Sequence, residues 1–135
     1  MSIRVLVVDD SNFFRRCIGE IITAAADMEV IDYAKNGREG VDKAIALSPD
    51  VVMMDIEMPV MDGYVATTSI RAMEAEQSSQ PHCWIIGLSA HATGDYVQKA
   101  RDAGMDDYLS KPVAQQQVSE AIKRAQLSRS NDVSA

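Results

Sequence analysis

Hydrophobic residues follow two different patterns along the chain, and these patterns alternate. Short apolar runs rich in β-branched residues predict strands, whereas segments with apolar residues every three or four positions predict amphipathic helices. The predicted strands cover residues 3–8, 29–34, 51–55, 83–89 and 107–110. Five strand–helix units with nearly continuous apolar strands indicate a parallel sheet that is covered on both faces.

The helical pattern is clearest after the first strand, where Phe14, Ile18, Ile21 and Ile22 fall on one helix face. The remaining apolar stripes lie within 41–45, 65–73, 93–103 and 118–125. Asp62 is a suitable N-cap for the third helix, and Gly104 is expected to end the fourth. The polar stretch 74–81 predicts a loop.

These elements predict a doubly wound α/β fold with five parallel strands. A length of 135 residues suits one domain. We expect the domain to cover residues 1–126 and residues 127–135 to form a flexible tail. In this fold class, ligands bind beyond the carboxyl ends of the strands.

Composition excludes several classes of function. A net charge of -7 argues against a nucleic-acid-binding surface. No apolar run reaches the roughly 18 residues of a membrane span, and the acidic start is unlike a signal peptide, so we expect a soluble cytoplasmic protein. Cys17 and Cys83 are expected to be buried thiols, and their spacing from His82 and His91 does not suit a zinc site.

Polar side chains stand where the predicted strands end. Asp9 and Asp10 follow the first strand, Asp55 ends the third, Ser89 ends the fourth, and Lys111 follows the fifth. Each residue alone would be an ordinary strand end, cap, turn hydroxyl or surface charge. Together at one edge, the carboxylates require protons or a cation, and oxygen ligands favour Mg²⁺.

A cation alone does not account for Ser89 and Lys111. A hydroxyl donor, a fixed ammonium and a divalent cation around one carboxylate form a receptacle for a phosphoryl group. An aspartate can be the nucleophile that accepts such a group. The pattern therefore favours phosphoryl transfer to Asp55.

Four stretches carry a family resemblance: "VLVVDDS", "PDVVMMDIEMPVMDG", "IIGLSAHA" and "AGMDDYLSKPV". In this order and spacing they resemble the receiver domain of two-component response regulators, over residues 3 to about 126. The resemblance implies a flavodoxin-like fold with the strand order 2-1-3-4-5. The first half is similar to chemotaxis-type receivers, and the second half to receivers attached to hybrid histidine kinases.

The resemblance implies a phosphoacceptor and a metal site. Asp55 would accept the phosphoryl group from a histidine kinase or a phosphotransfer histidine. Mg²⁺ would be bound by Asp10, Asp55 and the backbone carbonyl of Glu57, with Asp9 acting through water. The implied role is a signalling domain in a phosphorelay that catalyses only its own phosphorylation and dephosphorylation.

The resemblance also implies how the phosphoryl group would be held. Ser89, Lys111 and the Ala90 amide would bind its oxygens, and the peptide bond between Lys111 and Pro112 would be cis, which proline permits at low cost.

A switch is implied by two of the matching residues. Ser89 would turn towards the phosphoryl group, and Tyr108 would rotate inwards and change the surface of the fourth helix, fifth strand and fifth helix. An ordinary edge-strand aromatic is the alternative for Tyr108. Glu57 and His91 occupy positions that tune hydrolysis, with simple surface exposure as their alternative.

The leading hypothesis is a stand-alone receiver, monomeric or dimerising on phosphorylation, with an unidentified downstream protein target. A Mg²⁺-dependent phosphatase of the haloacid dehalogenase type is the first alternative. Those enzymes need a second aspartate two residues after the nucleophile, where this chain has Glu57. A scaffold that is never phosphorylated is the second.

Overall fold

The computed structural model describes residues 2–76, 82–91 and 93–134, with side chains up to residue 128. The strands are β1 (Ile3–Val8), β2 (Met28–Ala34), β3 (Val51–Asp55), β4 (Trp84–Ser89) and β5 (Asp107–Ser110). The helices are α1 (Asn12–Thr23), α2 (Gly37–Leu47), α3 (Gly63–Glu76), α4 (Gly94–Ala103) and α5 (Gln115–Ser134).

The five strands form one parallel sheet in the order β2-β1-β3-β4-β5. This confirms the predicted doubly wound fold and its strand order. Because the chain returns to the sheet centre after β2, the carboxyl ends of β1, β3, β4 and β5 become neighbours. The residues predicted to bind the metal ion and the phosphoryl group lie at or just beyond these ends, whereas Tyr108 lies within β5.

Alternate strand residues supply the two hydrophobic layers that hold the sheet between its helices. Val5 and Val7 contribute to a core that includes Ile18 of α1 and Ile122 of α5. Leu6 and Val8, with the matching residues of β3 and β4, face the opposite layer, which is formed with residues of α2, α3 and α4. Since both sheet faces are buried, the strands read as continuous apolar runs rather than alternating ones.

Three predicted element boundaries differ from the structure by one residue. β2 begins at Met28, because that residue pairs with Ile3 of β1. β4 begins at Trp84 rather than Cys83, because the Cys83 amide donates to the Glu74 carboxylate, at 2.8 Å, instead of joining the sheet. α4 begins after Thr93, whose backbone is extended.

Two residues predicted to mark helix ends are confirmed. The Asp62 carboxylate accepts a hydrogen bond of 2.9 Å from the Val65 amide at the start of α3. Gly104 ends α4 with a left-handed backbone, at φ 108°. The predicted polar loop 74–81 is helical up to Glu76, and its remainder, 77–81, lies outside the described residues.

The last helix continues beyond the predicted end of the domain. α5 extends to Ser134 and includes most of the segment expected to be a tail. Val118, Ala121, Ile122 and Ala125 are buried against the sheet, whereas Leu127 is 67% exposed. The apolar stripe therefore marked the packed part of the helix and not its full length. The flexibility of residues 127–135 stays a prediction.

Two features bear on the composition-based expectations. Cys83 is buried and Cys17 is partly buried, and neither forms a disulfide. Burial raises the pKa of the Cys83 thiol to about 12, so this thiol is protonated at neutral pH. None of the described helices is both long enough and apolar enough to span a bilayer.

Candidate functional site

The ends of β1 and β3 bring three carboxylates together. Asp9 and Asp10 follow β1, and Asp55 is the last residue of β3. One carboxylate oxygen from each of the three lies within 4.8 Å of the others. Asp9 is fully buried and Asp55 is 2% exposed, whereas Asp10 is exposed. The group therefore combines two buried acids with one that solvent reaches.

Asp55 carries the electrostatic consequence of this arrangement. Burial, together with the charge of Asp9, raises its pKa from 3.8 to about 7, although Lys111 partly opposes the shift. The cause is that a carboxylate loses water on burial and is repelled by a neighbouring carboxylate. Without a cation, Asp55 is thus partly protonated near neutral pH.

Lys111 joins the two buried carboxylates. Its ammonium donates to Asp9 Oδ2 at 2.9 Å and to Asp55 Oδ1 at 3.0 Å. Burial disfavours the charged form of Lys111, but its bonds to the two carboxylates outweigh burial and raise its pKa. The ammonium also lies 4.3 Å from the centre of the Phe14 ring. It is therefore a fixed positive charge beside Asp55.

The donor set fits a hard divalent cation such as Mg²⁺, because it consists of carboxylate oxygens only. The two oxygens of Asp9 already have partners: Lys111 binds Oδ2, and the Ser11 amide donates to Oδ1 at 2.9 Å. Asp10 and Asp55 are consequently better placed than Asp9 for direct contact with a cation. This agrees with the expectation that Asp9 acts through water, which stays a prediction, as does the ligand role of the Glu57 carbonyl.

The loop after β3 fixes the position of Asp55 through Gly63. A Cβ atom on Gly63 would lie 2.4 Å from the Asp55 carbonyl oxygen and 2.8 Å from Ile56 Cα. The Gly63 amide also donates to the Ile56 carbonyl at 2.9 Å. Only glycine lets α3 start this close to the end of β3. The glycine of the "MPVMDG" stretch thus sets the backbone from which the phosphoacceptor candidate projects.

Ser89 is fully buried and bonded on both sides. Its hydroxyl donates to Glu57 Oε1 at 2.5 Å and accepts from the His91 amide at 3.0 Å. Within the described residues, the partners of the hydroxyl are therefore Glu57 and His91 rather than Asp55. Sequence reasoning placed Ser89 and Glu57 in the site but missed their bond, because their side chains meet only across neighbouring strand ends.

His91 connects Ser89 with Tyr108. The His91 amide donates to Ser89, and the His91 carbonyl accepts from the Tyr108 hydroxyl. The imidazole stacks on Tyr96 of α4 at 4.6 Å, and its Nε2 lies 3.7 Å from Glu57 Oε1. Tyr108 is half-buried, with its ring packed against the core layer of α3 and α4. The two predicted switch residues, Ser89 and Tyr108, are thus connected through the backbone amide and carbonyl of His91.

Asp55, Lys111 and Glu57 face an open cleft of about 490 Å³. Its lining residues are Asp10, Ser11, Phe14, Asp55, Glu57, Ala90, His91, Lys111 and Pro112. The peptide bond between Lys111 and Pro112 is cis. Ser11 and Phe14 were not expected in the site. Ser11 also caps α1 by accepting from the Phe14 amide, a role that its position after two aspartates could have indicated.

Comparison with protein families decides the classification. A family model described as the response regulator receiver domain matches residues 5–123. The chain belongs to the response regulator receiver family. This confirms the resemblance found in the sequence.

Among curated proteins, this receiver is similar to protein-glutamate methylesterase/protein-glutamine glutaminases. It is 51% identical over 111 residues to the protein from Vibrio parahaemolyticus, which is 82% of this chain but 29% of that protein. A Pseudomonas putida relative is 43% identical over the same length, again 29% of that protein. The chain therefore spans less than a third of these relatives, so their named activity belongs to much longer proteins.

Solved receiver structures are similar throughout the fold. The response regulator domain of Thermotoga maritima CheB has a TM-score of 0.77 at 34% identity, covering 94% of this chain and 96% of that one. Vibrio cholerae CheY4 has a TM-score of 0.80 at 28% identity, covering 93% and 99%. Borrelia burgdorferi CheY, in a complex described as containing CheX, BeF3 and Mg, has a TM-score of 0.79 at 28% identity, covering 88% and 85%.

Proposed function

We propose that this receiver is a reversible phosphorylation switch in which Asp55 accepts a phosphoryl group from a phosphohistidine of a histidine kinase or phosphotransfer protein. A carboxylate oxygen of Asp55 attacks phosphorus, the P–N bond breaks, and the imidazole nitrogen leaves with the electron pair. The product is an acyl phosphate. The proposal places the chain in the cytoplasm, where ATP supplies such kinases.

The observation that supports this most is the position of Lys111. Its ammonium lies 3.0 Å from Asp55 Oδ1, beside three clustered carboxylates. A fixed cation at that distance can neutralise charge on phosphoryl oxygens as they arrive. We assign the other phosphoryl contacts to the Ser89 hydroxyl and the Ala90 amide.

Bound Mg²⁺ would supply charge neutralisation at the transferring oxygens. Asp10, Asp55 and the Glu57 carbonyl would hold it, with Asp9 acting through water. Lys111 bonds to both Asp9 and Asp55, at 2.9 and 3.0 Å, and so positions these two carboxylates relative to each other.

Acetyl phosphate tests the acceptor directly, because it transfers a phosphoryl group without a partner protein. With Mg²⁺, the wild-type chain should gain the mass of one phosphoryl group, and Asp55→Asn should gain none. Asp62→Asn is the matched control: it makes the same chemical change in the adjacent loop and keeps a good helix cap, so it should still be labelled. Labelling of Asp55→Asn would contradict the assignment.

We further propose that phosphorylation changes the surface formed by α4, β5 and α5, where an as yet unidentified protein partner would bind. The chain of bonds from Ser89 through His91 to Tyr108 supports this. If Ser89 turns to the phosphoryl group, the His91 amide in the β4–α4 connection loses its bond to the Ser89 hydroxyl. Tyr108 can then move inwards. Beryllofluoride, a phosphoryl mimic, should change backbone hydrogen exchange in α4 and β5, and Tyr108→Ala should reduce that change.

Hydrolysis returns the switch to its starting state: water attacks phosphorus, the P–O bond breaks, and inorganic phosphate leaves the Asp55 carboxylate. Glu57 and His91 line the cleft and are placed to influence that water. Substitution of either residue should change the dephosphorylation rate. Unchanged rates in both variants would remove them from this role. Stand-alone action and the monomer or phosphorylation-dependent dimer stay predictions.

A further inference from the structure

We infer that the Glu57 carboxylate is a positioning residue that holds the Ser89 hydroxyl away from the phosphoacceptor and so opposes phosphorylation of Asp55. This inference rests on the proposed function. It differs from a hydrolytic role for Glu57, because it concerns the receiver before any phosphoryl group arrives. It also differs from a role in metal binding, which would use the Glu57 carbonyl and not its side chain.

The Ser89 hydroxyl has two possible acceptors but only one proton. A serine hydroxyl has one proton to donate, and Ser89 donates it to Glu57 Oε1 at 2.5 Å. A phosphoryl oxygen on Asp55 has only lone pairs and therefore needs that same proton. Glu57 and the phosphoryl group cannot both receive it, so they compete for Ser89.

The bond between Ser89 and Glu57 is strong and holds Ser89 in place. A hydrogen bond to a carboxylate is roughly twice as strong as one between neutral groups. The Ser89 hydroxyl is fully buried, and its acceptor side is also engaged, by the His91 amide at 3.0 Å. Ser89 is therefore held in one orientation by two partners, and turning it requires the Glu57 bond to break.

The bond between Ser89 and Glu57 can nevertheless be released. The Glu57 side chain is 44% exposed, so water can solvate its carboxylate when it leaves Ser89. Glu57 also lines the cleft that contains Asp55 and Lys111. A phosphoryl group on Asp55 adds negative charge to that cleft and repels the Glu57 carboxylate. The phosphoryl group on Asp55 thus favours release of Ser89 by Glu57, and the Ser89–Glu57 bond can form again once the phosphoryl group is lost.

Beryllofluoride binding tests this inference in a double-mutant cycle. Its dissociation constant is measured by calorimetry at saturating Mg²⁺ for wild type, Glu57→Gln, Ser89→Ala and the double variant. Glu57→Gln keeps size and an acceptor but replaces the carboxylate with a neutral amide. It should tighten binding about fivefold when Ser89 is present and by less than about twofold in the Ser89→Ala background. Thermal unfolding of each variant verifies that it is folded.

Equal tightening in both backgrounds would overturn the inference, because it would show that Glu57 acts by direct repulsion alone. No tightening in the presence of Ser89 would also overturn it. If wild type binds no beryllofluoride, or if Asp55→Asn binds it equally well, the proposed function itself fails. The two failures are therefore distinguishable.

Discussion

Each end of the central sheet holds a cluster of acids around one cation, but the two clusters differ in the ratio of acids to cations and in their backbone hydrogen bonds. At the amino end of β4, Arg71 lies between the carboxylates of Glu74 and Asp106, at 2.8 and 2.7 Å. Its remaining donors reach the carbonyls of Gly104 and Cys83, both at 2.9 Å. We call Arg71, Glu74 and Asp106 the amino-end cluster.

Backbone amides complete the amino-end cluster. Glu74 accepts from the Cys83 amide at 2.8 Å, and Asp106 accepts from the Ile85 amide at 2.9 Å. Asp106 also lies 3.2 Å from His82. These bonds fix the start of β4 and the approach to β5. The cluster is thus a structural connection between α3, β4 and β5.

The carboxyl-end cluster of Asp9, Asp10, Asp55 and Lys111 has three acids for one ammonium. The pKa of Asp55 is raised to about 7 because burial and Asp9 outweigh Lys111. At the amino end, by contrast, two acids share one guanidinium, and each carboxylate also accepts a hydrogen bond from a backbone amide. The larger excess of negative charge at the carboxyl end can instead be neutralised by a bound cation, which would also allow a phosphoryl group to approach Asp55.

The largest expected effect is on the amino-end cluster. Arg71→Met should lower the free energy of unfolding by about 3 kcal/mol, because it leaves two mostly buried carboxylates without their cation. Urea denaturation measures this, with the exposed Arg38→Met as the matched control and an expected change within about 0.5 kcal/mol. Phosphorylation of the folded fraction by acetyl phosphate should be retained. A loss below about 1 kcal/mol would mean that the cluster is not a structural connection.

The next effect concerns the backbone that carries Asp55. Gly63→Ala should lower the free energy of unfolding by about 2 kcal/mol, because the added methyl group would overlap the Asp55 carbonyl. It should also slow labelling by acetyl phosphate. Gly94→Ala is the control, since a Cβ there has no neighbour within 4 Å. Equal stability of the two variants would contradict the packing argument.

At the carboxyl-end cluster, substitution should stabilise the fold. Because the pKa of Asp55 is raised to about 7 in the folded chain from 3.8, its contribution to stability is fully present below pH 3.8 and is lost as pH rises through 7. Without Mg²⁺, Asp55→Asn should raise the free energy of unfolding by roughly 1–2 kcal/mol at pH 8. The full value of the shift is not reached, because the substitution also weakens the contact with Lys111.

The gain for Asp55→Asn should shrink as pH falls towards 5, where the wild-type carboxyl is protonated. Urea denaturation of both proteins at pH 5, 6.5 and 8 measures this dependence. A gain that is independent of pH would show that the stabilisation does not come from the charge of Asp55.

The smallest effect is that of added Mg²⁺. At pH 8 and a tenfold excess over its dissociation constant, Mg²⁺ should stabilise the wild type by about 1.4 kcal/mol. The gain should be smaller at pH 6, because a proton on Asp55 competes with the cation. Asp10→Asn should reduce it, whereas the same change at Asp95, in the first turn of α4, should not. Equal stabilisation in both variants would place the cation elsewhere.

Much of the fold was predictable because both periodicities are strong in this chain. The five strands follow from apolar runs such as Val51–Asp55, which is buried along its whole length, as in a parallel sheet covered on both faces. The strand order follows instead from the resemblance to receiver domains. The length of α5 was not predictable. Its stripe of buried residues ends at Ala125, and no proline or glycine stops the helix there.

The site was predictable at the level of strand ends, but not at the level of bonds. Parallel topology brings Asp9, Asp55 and Lys111 to one edge wherever their strands lie in the sheet. The Ser89–Glu57 bond depends instead on side-chain orientation, and the amino-end cluster depends on contacts such as Arg71 to Asp106, which are 35 residues apart. Neither kind of contact leaves a local pattern in the sequence.

The central claim, that Asp55 forms an acyl phosphate, is tested most directly by chemical trapping. Borohydride reduces an acyl phosphate to an alcohol and thereby converts the modified aspartate to homoserine. After treatment with acetyl phosphate and Mg²⁺, peptide mass spectrometry should find homoserine at position 55 of the wild type and at no other aspartate. Homoserine at Asp9 or Asp10 instead, or an unmodified position 55, would contradict the account.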